Sequence, residues 1–297
     1  MKPIVDLQGN IALPEGDVVL TTHNLVGLGD HAIYSTLPKR FKDIGRKVYI
    51  DKDIGARNDQ ILEAFWMRNP YIDGLTDRKA NAGYVRQGLF YEVANRFDES
   101  GSIEAMERAH GLPPPYSIAP YINYAPKPFH IDLSQHVLLD FSATSSQIDN
   151  KGISEFMRAM KGKFRNAPFL QLLMPKWASL HPAEIACESV QVDGIYMYLD
   201  MLAACRGWIG SEAGGQSLAA AVRGEHLATE YDVRPEVRVC ITPQTHNDRG
   251  YVFSGVGYRD TQFCQDHSSD WHFPHEMVNH AYDLRCAISL QQMRARG

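Results

Sequence analysis

Short apolar runs alternate with amphipathic segments along the first part of the chain. Asp17-Val18-Val19-Leu20-Thr21 and Lys47-Val48-Tyr49-Ile50 are β-branched runs of strand length, and each predicts a buried strand. After the first run comes a glycine loop, Gly27-Leu28-Gly29, and then a segment from His31 to Phe41 with helical character. After the second, Ile61, Leu62, Phe65 and Trp66 recur at helical spacing within 59–68, and Pro70 ends that helix. Val85, Leu89, Phe90 and Val93 predict a further helix.

Between Gly111 and Pro128 the texture changes. Pro113-Pro114-Pro115, Pro120, Pro126 and Pro128 stand among tyrosines, so no helix fits, and the stretch predicts a stiff crossing between two domains. The domains are then 1–128 and 129–297. The alternation resumes with His136–Phe141, a polar loop over 142–147, and Ile153, Phe156, Met157 and Met160 at helical spacing. Phe169–Met174 is the next strand. Tyr196–Arg206 reads as a helix, Gly207-Trp208-Ile209-Gly210 as a strand, and Leu218–Val222 as the opening of another helix. Strands alternating with helices in both halves imply two parallel, helix-flanked sheets. Such sheets bind ligands at the carboxyl ends of their strands, which for two domains means the cleft between them.

Composition narrows the function classes. The chain has 297 residues, 44% hydrophobic and 22% charged, which excludes extended disorder. Lys and Arg number 30 against 35 Asp and Glu, a formal charge of −5, so no global basic field exists for nucleic acid. Apolar stretches such as Ile195–Cys205 are short and broken by Asp200, too short to span a bilayer. The opening residues Met1–Asp6 lack the apolar core of a signal peptide, and a cytoplasmic location is the expectation. Five cysteines with no C-x-x-C pair suit reduced thiols rather than a disulfide scaffold.

Two loops place small residues at the start of a helix after a strand. In Gly27-Leu28-Gly29-Asp30-His31 the glycines permit a close backbone approach, and Asp30 falls at the helix start. Asp30 is there either an N-cap or a general base aimed at a substrate hydroxyl, roles one carboxylate can combine. His31 and His23 are second choices for the base. In Gly210–Ala221, small residues lead into an Ala-rich helix whose free N–H groups suit a diphosphate. Glu212, just ahead, can accept from ribose or sugar hydroxyls.

Gly27-Leu28-Gly29-Asp30, followed by Arg68-Asn69-Pro70-Tyr71-Ile72-Asp73 and later by Leu199–Val222, resembles the ADP-heptose–lipopolysaccharide heptosyltransferases of glycosyltransferase family 9. That resemblance implies an α/β GT-B fold, two Rossmann-like domains with parallel sheets facing across a cleft. Acceptor binding then belongs to the N-terminal half, with Gly27, Gly29 and His31 on the acceptor-side loop. Nucleotide-sugar binding belongs to the C-terminal half, which closes with a crossover helix. The resemblance further implies inverting transfer without metal or other cofactor, with Asp30 as the base. The partners are a nucleotide-diphosphate sugar and a glycan or glycolipid acceptor, the latter giving peripheral membrane contact through the acceptor only. The pathway is surface glycan or lipopolysaccharide synthesis. Two departures stand out: Glu212 replaces the family's donor-loop aspartate, and Ser217 replaces its histidine. They leave the nucleotide and sugar open.

Sugar transfer needs a polarised acceptor hydroxyl and a stabilised diphosphate. Asp30 supplies the first by general-base action. The amides of Gly214, Gly215 and Gln216 supply part of the second, with Lys176 as the candidate cation and Ser142, Thr144 and Ser145 as candidate pocket lining. Tyr116, Tyr121 and Tyr124 in the Pro-rich crossing are candidates to stack on a sugar face. Two other readings share the two-domain architecture: an inactive nucleotide-sugar-binding protein and a nucleotide-sugar epimerase. A nicotinamide enzyme is disfavoured, because Ala32 stands where a third glycine would complete the fingerprint and the loop follows a polar strand end. Near the C-terminus, Cys264, His267, His272, His275 and His280 cluster. His275 and His280 are five apart, about 140° round a helix, which excludes a zinc-protease pair. Cys264-x-x-His267 with His272-x-x-His275 leaves a structural zinc as one reading; the other has Pro274 start a final packed helix bearing Met277, Ala281, Leu284 and Ile288.

Overall fold

The structure is a computed structural model that describes residues 15–22, 25, 27–52, 56, 58–83, 102–117, 119–140, 142, 168–174, 187–211, 214–223 and 236–240. The helices expected over 85–93 and 153–160, the final helix from Pro274 and the Cys/His cluster lie outside the described residues. The described residues divide into two compact units, those up to Ala125 and those from Pro126 on.

The first unit is built on four parallel strands: β1 (Val18–Thr21), β2 (Val48–Asp51), β3 (Gly74–Thr76) and β4 (Ala82–Gly83), in the order β3-β2-β1-β4. The two runs predicted as strands are the two inner strands. The short edge strands β3 and β4 carry little apolar pattern and were not evident in the sequence. Asn81 joins β4 to β1, its side chain accepting from Val19 N at 2.8 Å and donating to the Asp17 carbonyl at 3.0 Å.

The helix expected over 31–41 is two helices, α1 (Leu28–Tyr34) and α2 (Leu37–Asp43). Pro38 lacks the N–H that would bond the Tyr34 carbonyl, so the ladder breaks over Ser35 and Thr36. Gly45, at φ +78°, closes α2: its N–H bonds the Lys42 carbonyl and Arg46 N–H bonds that of Phe41. α3 (Asp59–Leu62) starts on Asn58, whose side chain accepts from Ile61 N at 3.0 Å, and passes into a π-helical turn over Glu63–Met67. These helices bury Ile33, Leu37, Phe41 and Phe65, each at most 1% exposed, against Val18, Leu20, Val48 and Ile50 of the sheet. Each such side chain contributes roughly 1.5–3 kcal/mol by leaving water.

α4 (Ser102–Ala109) ends on Gly111 in the same way as α2 ends on Gly45, with Leu112 N–H on the Glu107 carbonyl. Glu107 is fully buried. Its Oε2 accepts from Arg40 Nε at 3.0 Å and from Ser117 N at 2.9 Å, tying α2, α4 and the Pro-rich segment together. That segment carries no helix or regular strand among its described residues and is laced to the first unit. Tyr121 N donates to Ser35 Oγ, and Asn123 Nδ2 donates to the Arg68 carbonyl. Tyr121 turns inward, edge-on to Tyr71, and burial pushes its hydroxyl up to about 12. Tyr116 lies under the Arg108 guanidinium.

The second unit holds five parallel strands: β5 (Val137–Asp140), β6 (Phe169–Leu173), β7 (Glu188–Gln191), β8 (Gly207–Ser211) and β9 (Glu236–Cys240). Their order is β7-β6-β5-β8-β9. α5 (Ile195–Ala204) leads into β8, and α6 (Gly214–Arg223) follows it. The sequence places the start of α6 at Leu218; its helical turns begin four residues sooner, so Gly214–Ser217 are its first turn rather than a loop. Cys205, after α5, is a buried thiol that burial pushes up, and its Sγ donates to the Leu202 carbonyl. No helix among the described residues is long and apolar enough to cross a membrane.

Replacing Glu107 by Ala strands the Arg40 guanidinium and the Ser117 amide in the interior. Urea denaturation should show a loss of about 3 kcal/mol. Lys52→Ala breaks an exposed pair with Asp77 and should change stability by under about 0.5 kcal/mol.

Candidate active site

In an open parallel sheet a crevice forms at the carboxyl edge where successive connections leave toward opposite sides. In the first unit β1 is flanked by β2 and by β4, so the crevice lies beyond Thr21. In the second unit β5 is flanked by β6 and by β8, so it lies beyond Asp140 and Ser211. The two glycine loops follow β1 and β8, and each therefore stands at the switch point of its own sheet.

In the first loop the N-cap is Gly27, not Asp30. Asp30 is the third helical residue and reaches back, its Oδ2 accepting from Gly27 N at 2.8 Å. Asp30 is half-buried. Gly27 has φ −113° and ψ 165°, extended backbone open to any residue, and a Cβ there would meet Asp30 Oδ2 at an ordinary 3.6 Å. Its glycine leaves room beside the carboxylate rather than making a tight turn. Gly29 is buried in α1.

His31, expected on the acceptor-side loop, turns into the core and is fully buried. Its Nδ1 accepts from Trp66 Nε1 at 2.8 Å. Indole can only donate, so Nδ1 carries the lone pair and the ring proton sits on Nε2. Burial lowers the ring to about 4, while the Asp30 charge and the Leu25 carbonyl pull weakly the other way. A neutral imidazole whose basic nitrogen is already occupied does not act as a base. His23 lies outside the described residues.

The Arg68–Asp73 motif fastens this unit. Asn69 is buried, donating to the carbonyls of Ser35 and Phe65, and its Oδ1 accepts from Tyr71 N. Asp73 N donates to the Val48 carbonyl, and its Oδ2 accepts from Val48 N at 2.7 Å. Burial raises the Asp73 carboxyl, but the Lys42 ammonium and the Val48 amide prevail and hold it below its ordinary range.

The second crevice is organised by a residue the sequence reading left inside a strand. Asp140 ends β5 and is 4% exposed. Trp208 Nε1 donates to Tyr198 Oη at 2.8 Å, and Tyr198 donates to Asp140 Oδ2 at 2.5 Å. Complete burial and the Asp140 charge hold the Tyr198 phenol well above its ordinary value, so it remains a donor. Asp140 Oδ1 accepts from Ser142 N at 3.0 Å and from Ser142 Oγ. Aspartate closing an otherwise apolar Val-Leu-Leu run was the available signal, because a charge there must find partners.

Close approach at this point requires glycine. A Cβ on Gly215 would lie 2.4 Å from Asp140 Oδ2 and 2.6 Å from Tyr198 Oη. One on Gly210 would lie 2.4 Å from the Asp140 carbonyl and 2.5 Å from the Trp208 ring. Gln216 and Ser217 are 2% and 1% exposed, and among the described residues Ser217 Oγ has no hydrogen-bond partner. The structure thus brings Ser142, Gly214, Gly215, Gln216 and Ser217 into one end of the second sheet, with Gly27, Gly29, Asp30 and His31 at the corresponding end of the first. Thr144, Lys176 and Glu212 lie outside the described residues.

No protein-family model and no curated protein sequence matches the chain. In fold it is similar to solved glycosyltransferases. The dodecameric iron-containing heptosyltransferase TibC, solved in complex with ADP-D-β-D-heptose, matches over 96% of this chain and 78% of its own, at 14% identity and a TM-score of 0.51. A glycosyl transferase family 9 protein from Veillonella parvula DSM 2008 matches over 84% and 86%, at 8% identity and a TM-score of 0.47. The likeness to TibC establishes a shared α/β fold with parallel sheets.

Two outcomes check this geometry. The His31 ring should titrate near pH 4, against 6.5 for a free histidine, when followed by NMR. Because the folded value is the lower one, its stabilisation is complete above about pH 6.5 and is lost as pH falls toward 4, a change of roughly 3 kcal/mol. A midpoint near 6.5 in the folded protein would contradict the Trp66 bond. Separately, Gly215→Ala should cost about 1–3 kcal/mol in thermal or urea unfolding, because neither the β5 end nor Tyr198 can give way cheaply.

Proposed function

We propose that the protein is a glycosyltransferase of the GT-B kind, moving a sugar from a nucleotide-diphosphate donor to a hydroxyl acceptor with inversion and without metal. The observation that carries this reading is the position of Asp30 and of the first turn of α6 at the switch points of two separate parallel sheets. The fold shared with a heptosyltransferase supports it. The N-terminal domain, 1–128, takes the acceptor, and the C-terminal domain, 129–297, takes the donor.

In this reading Asp30 removes the proton of the acceptor hydroxyl as its oxygen attacks the anomeric carbon. The bond from that carbon to the diphosphate oxygen breaks on the opposite side, which inverts the configuration. The bond from Gly27 N to Oδ2 fixes the carboxylate's direction before substrate arrives. Charge developing on the leaving diphosphate falls toward the amides of Gly214, Gly215 and Gln216. Ser142, Thr144, Lys176, Glu212 and Ser217 complete the donor side, Lys176 as the cation and Glu212 as acceptor for hydroxyls. A glycan or glycolipid acceptor, in surface glycan or lipopolysaccharide synthesis at the cytoplasmic side of a membrane, fits this division of labour.

The test is release of free nucleoside diphosphate from ADP-, GDP-, UDP- and dTDP-sugars with and without acceptor. One donor series should be turned over in the presence of a glycan acceptor. Asp30→Asn should lower kcat about 10²–10⁴-fold while nucleoside diphosphate binding stays within about two-fold. The carboxamide oxygen still accepts from Gly27 N, so the loop is preserved. Full turnover by the folded variant would remove Asp30 from the mechanism.

A further inference from the structure

We propose that Ser142 is a specificity residue of the second crevice that presents only an acceptor to the donor molecule, contacting a hydroxyl or amino hydrogen of its sugar or nucleoside and not its diphosphate. The inference rests on the glycosyltransferase reading and changes the role expected for Ser142, which the sequence places among diphosphate contacts.

A serine has two donors, its backbone N–H and its hydroxyl, and both point at Asp140 Oδ1. Asp140 cannot release them by turning to another partner. Its second oxygen is held by Tyr198, and the direction of that bond is fixed from behind, because Trp208 donates to Tyr198 and leaves the phenol proton for the carboxylate. Gly215 closes over the same oxygen. Asp140 is 4% exposed, so freeing the Ser142 hydroxyl would leave a buried carboxylate short of a donor. What remains outward at Ser142 is a pair of lone pairs beside a negative charge. A phosphate oxygen, itself an acceptor, is repelled there, whereas a hydroxyl or amine hydrogen is attracted. Ser142 follows β5 at the switch point of its sheet and is half-buried, which gives a ligand access to it.

A ligand ladder tests this: nucleoside, nucleoside diphosphate and nucleotide-sugar of the adenosine, guanosine, uridine and thymidine series, titrated calorimetrically into the full chain. In Ser142→Ala the gain in affinity from nucleoside to nucleoside diphosphate should be unchanged, and the nucleotide-sugar should bind about 3- to 10-fold more weakly. Ser142→Thr keeps the hydroxyl and should restore binding. Tyr198→Phe loosens the same cluster without touching the Ser142 bond and should leave the ladder's ratios intact. A reduced gain from the phosphates in Ser142→Ala, no change in nucleotide-sugar affinity, or an equal shift in Tyr198→Phe would each overturn the inference while leaving the glycosyltransferase reading in place. Wild-type protein that binds no member of the ladder overturns both.

Discussion

A carboxylate taken out of water must be met by donors, and the second unit is arranged around one such group. Asp140 sits at the end of the central strand β5, where the sheet's connections part. Its needs bring α5 in through Tyr198, β8 in through Trp208, and the turn after β5 in through Ser142. α6 reaches the same place only because residue 215 lacks a side chain. α5, β8 and α6 thus gather with the turn after β5 in one cluster around this carboxylate. A buried polar cluster of this kind favours one arrangement over its neighbours, since any slip leaves a group unpaired at a cost of about 1–3 kcal/mol.

The first unit achieves comparable definition by other means. Its interior holds the Arg40–Glu107 ion pair and the Trp66–His31 bond, and its other interior polar contacts run mostly to backbone. Asn69 bridges the turn before α2 and the π turn, and Asp73 grips the start of β2. The Arg68–Asp73 stretch is one of the three on which the resemblance to heptosyltransferases rests, and its side chains hold helices and strands together. That likeness therefore speaks to architecture. It agrees with a similarity to solved enzymes visible in the fold at 14% identity and not in any sequence comparison.

What could be read in the chain follows the strength of the local signal. Val18–Leu20, Val48–Ile50, Val137–Leu139 and Phe169–Leu173 are inner strands with dense apolar runs, and all were legible as strands. Gly74–Thr76 and Glu188–Gln191 lie at sheet edges, half-wetted, and their polar composition concealed them. α4 was hidden for a related reason: its short apolar set is interrupted by three charged residues, Glu104, Glu107 and Arg108, within Ser102–Ala109. The positions of both glycine loops at strand ends were legible. The inward turn of His31 was not, because it depends on Trp66, thirty-five residues away. Nor was the role of Asp140, whose partners Tyr198 and Trp208 come from elements that only the sheet order brings near.

The π turn over Glu63–Met67 has a consequence for chain length. Arg68 N reaches back five residues to the Glu63 carbonyl instead of four, so one more residue is accommodated than an α-helical turn would hold. Everything after it is rotated by about 100° relative to an uninterrupted helix. Trp66 faces His31 and Asn69 faces Ser35 in that altered phase. Excising a single residue from this turn would give a more regular helix and would swing both side chains off their partners. Spacing in this stretch is accordingly under as tight a constraint as residue identity, and insertions or deletions belong elsewhere.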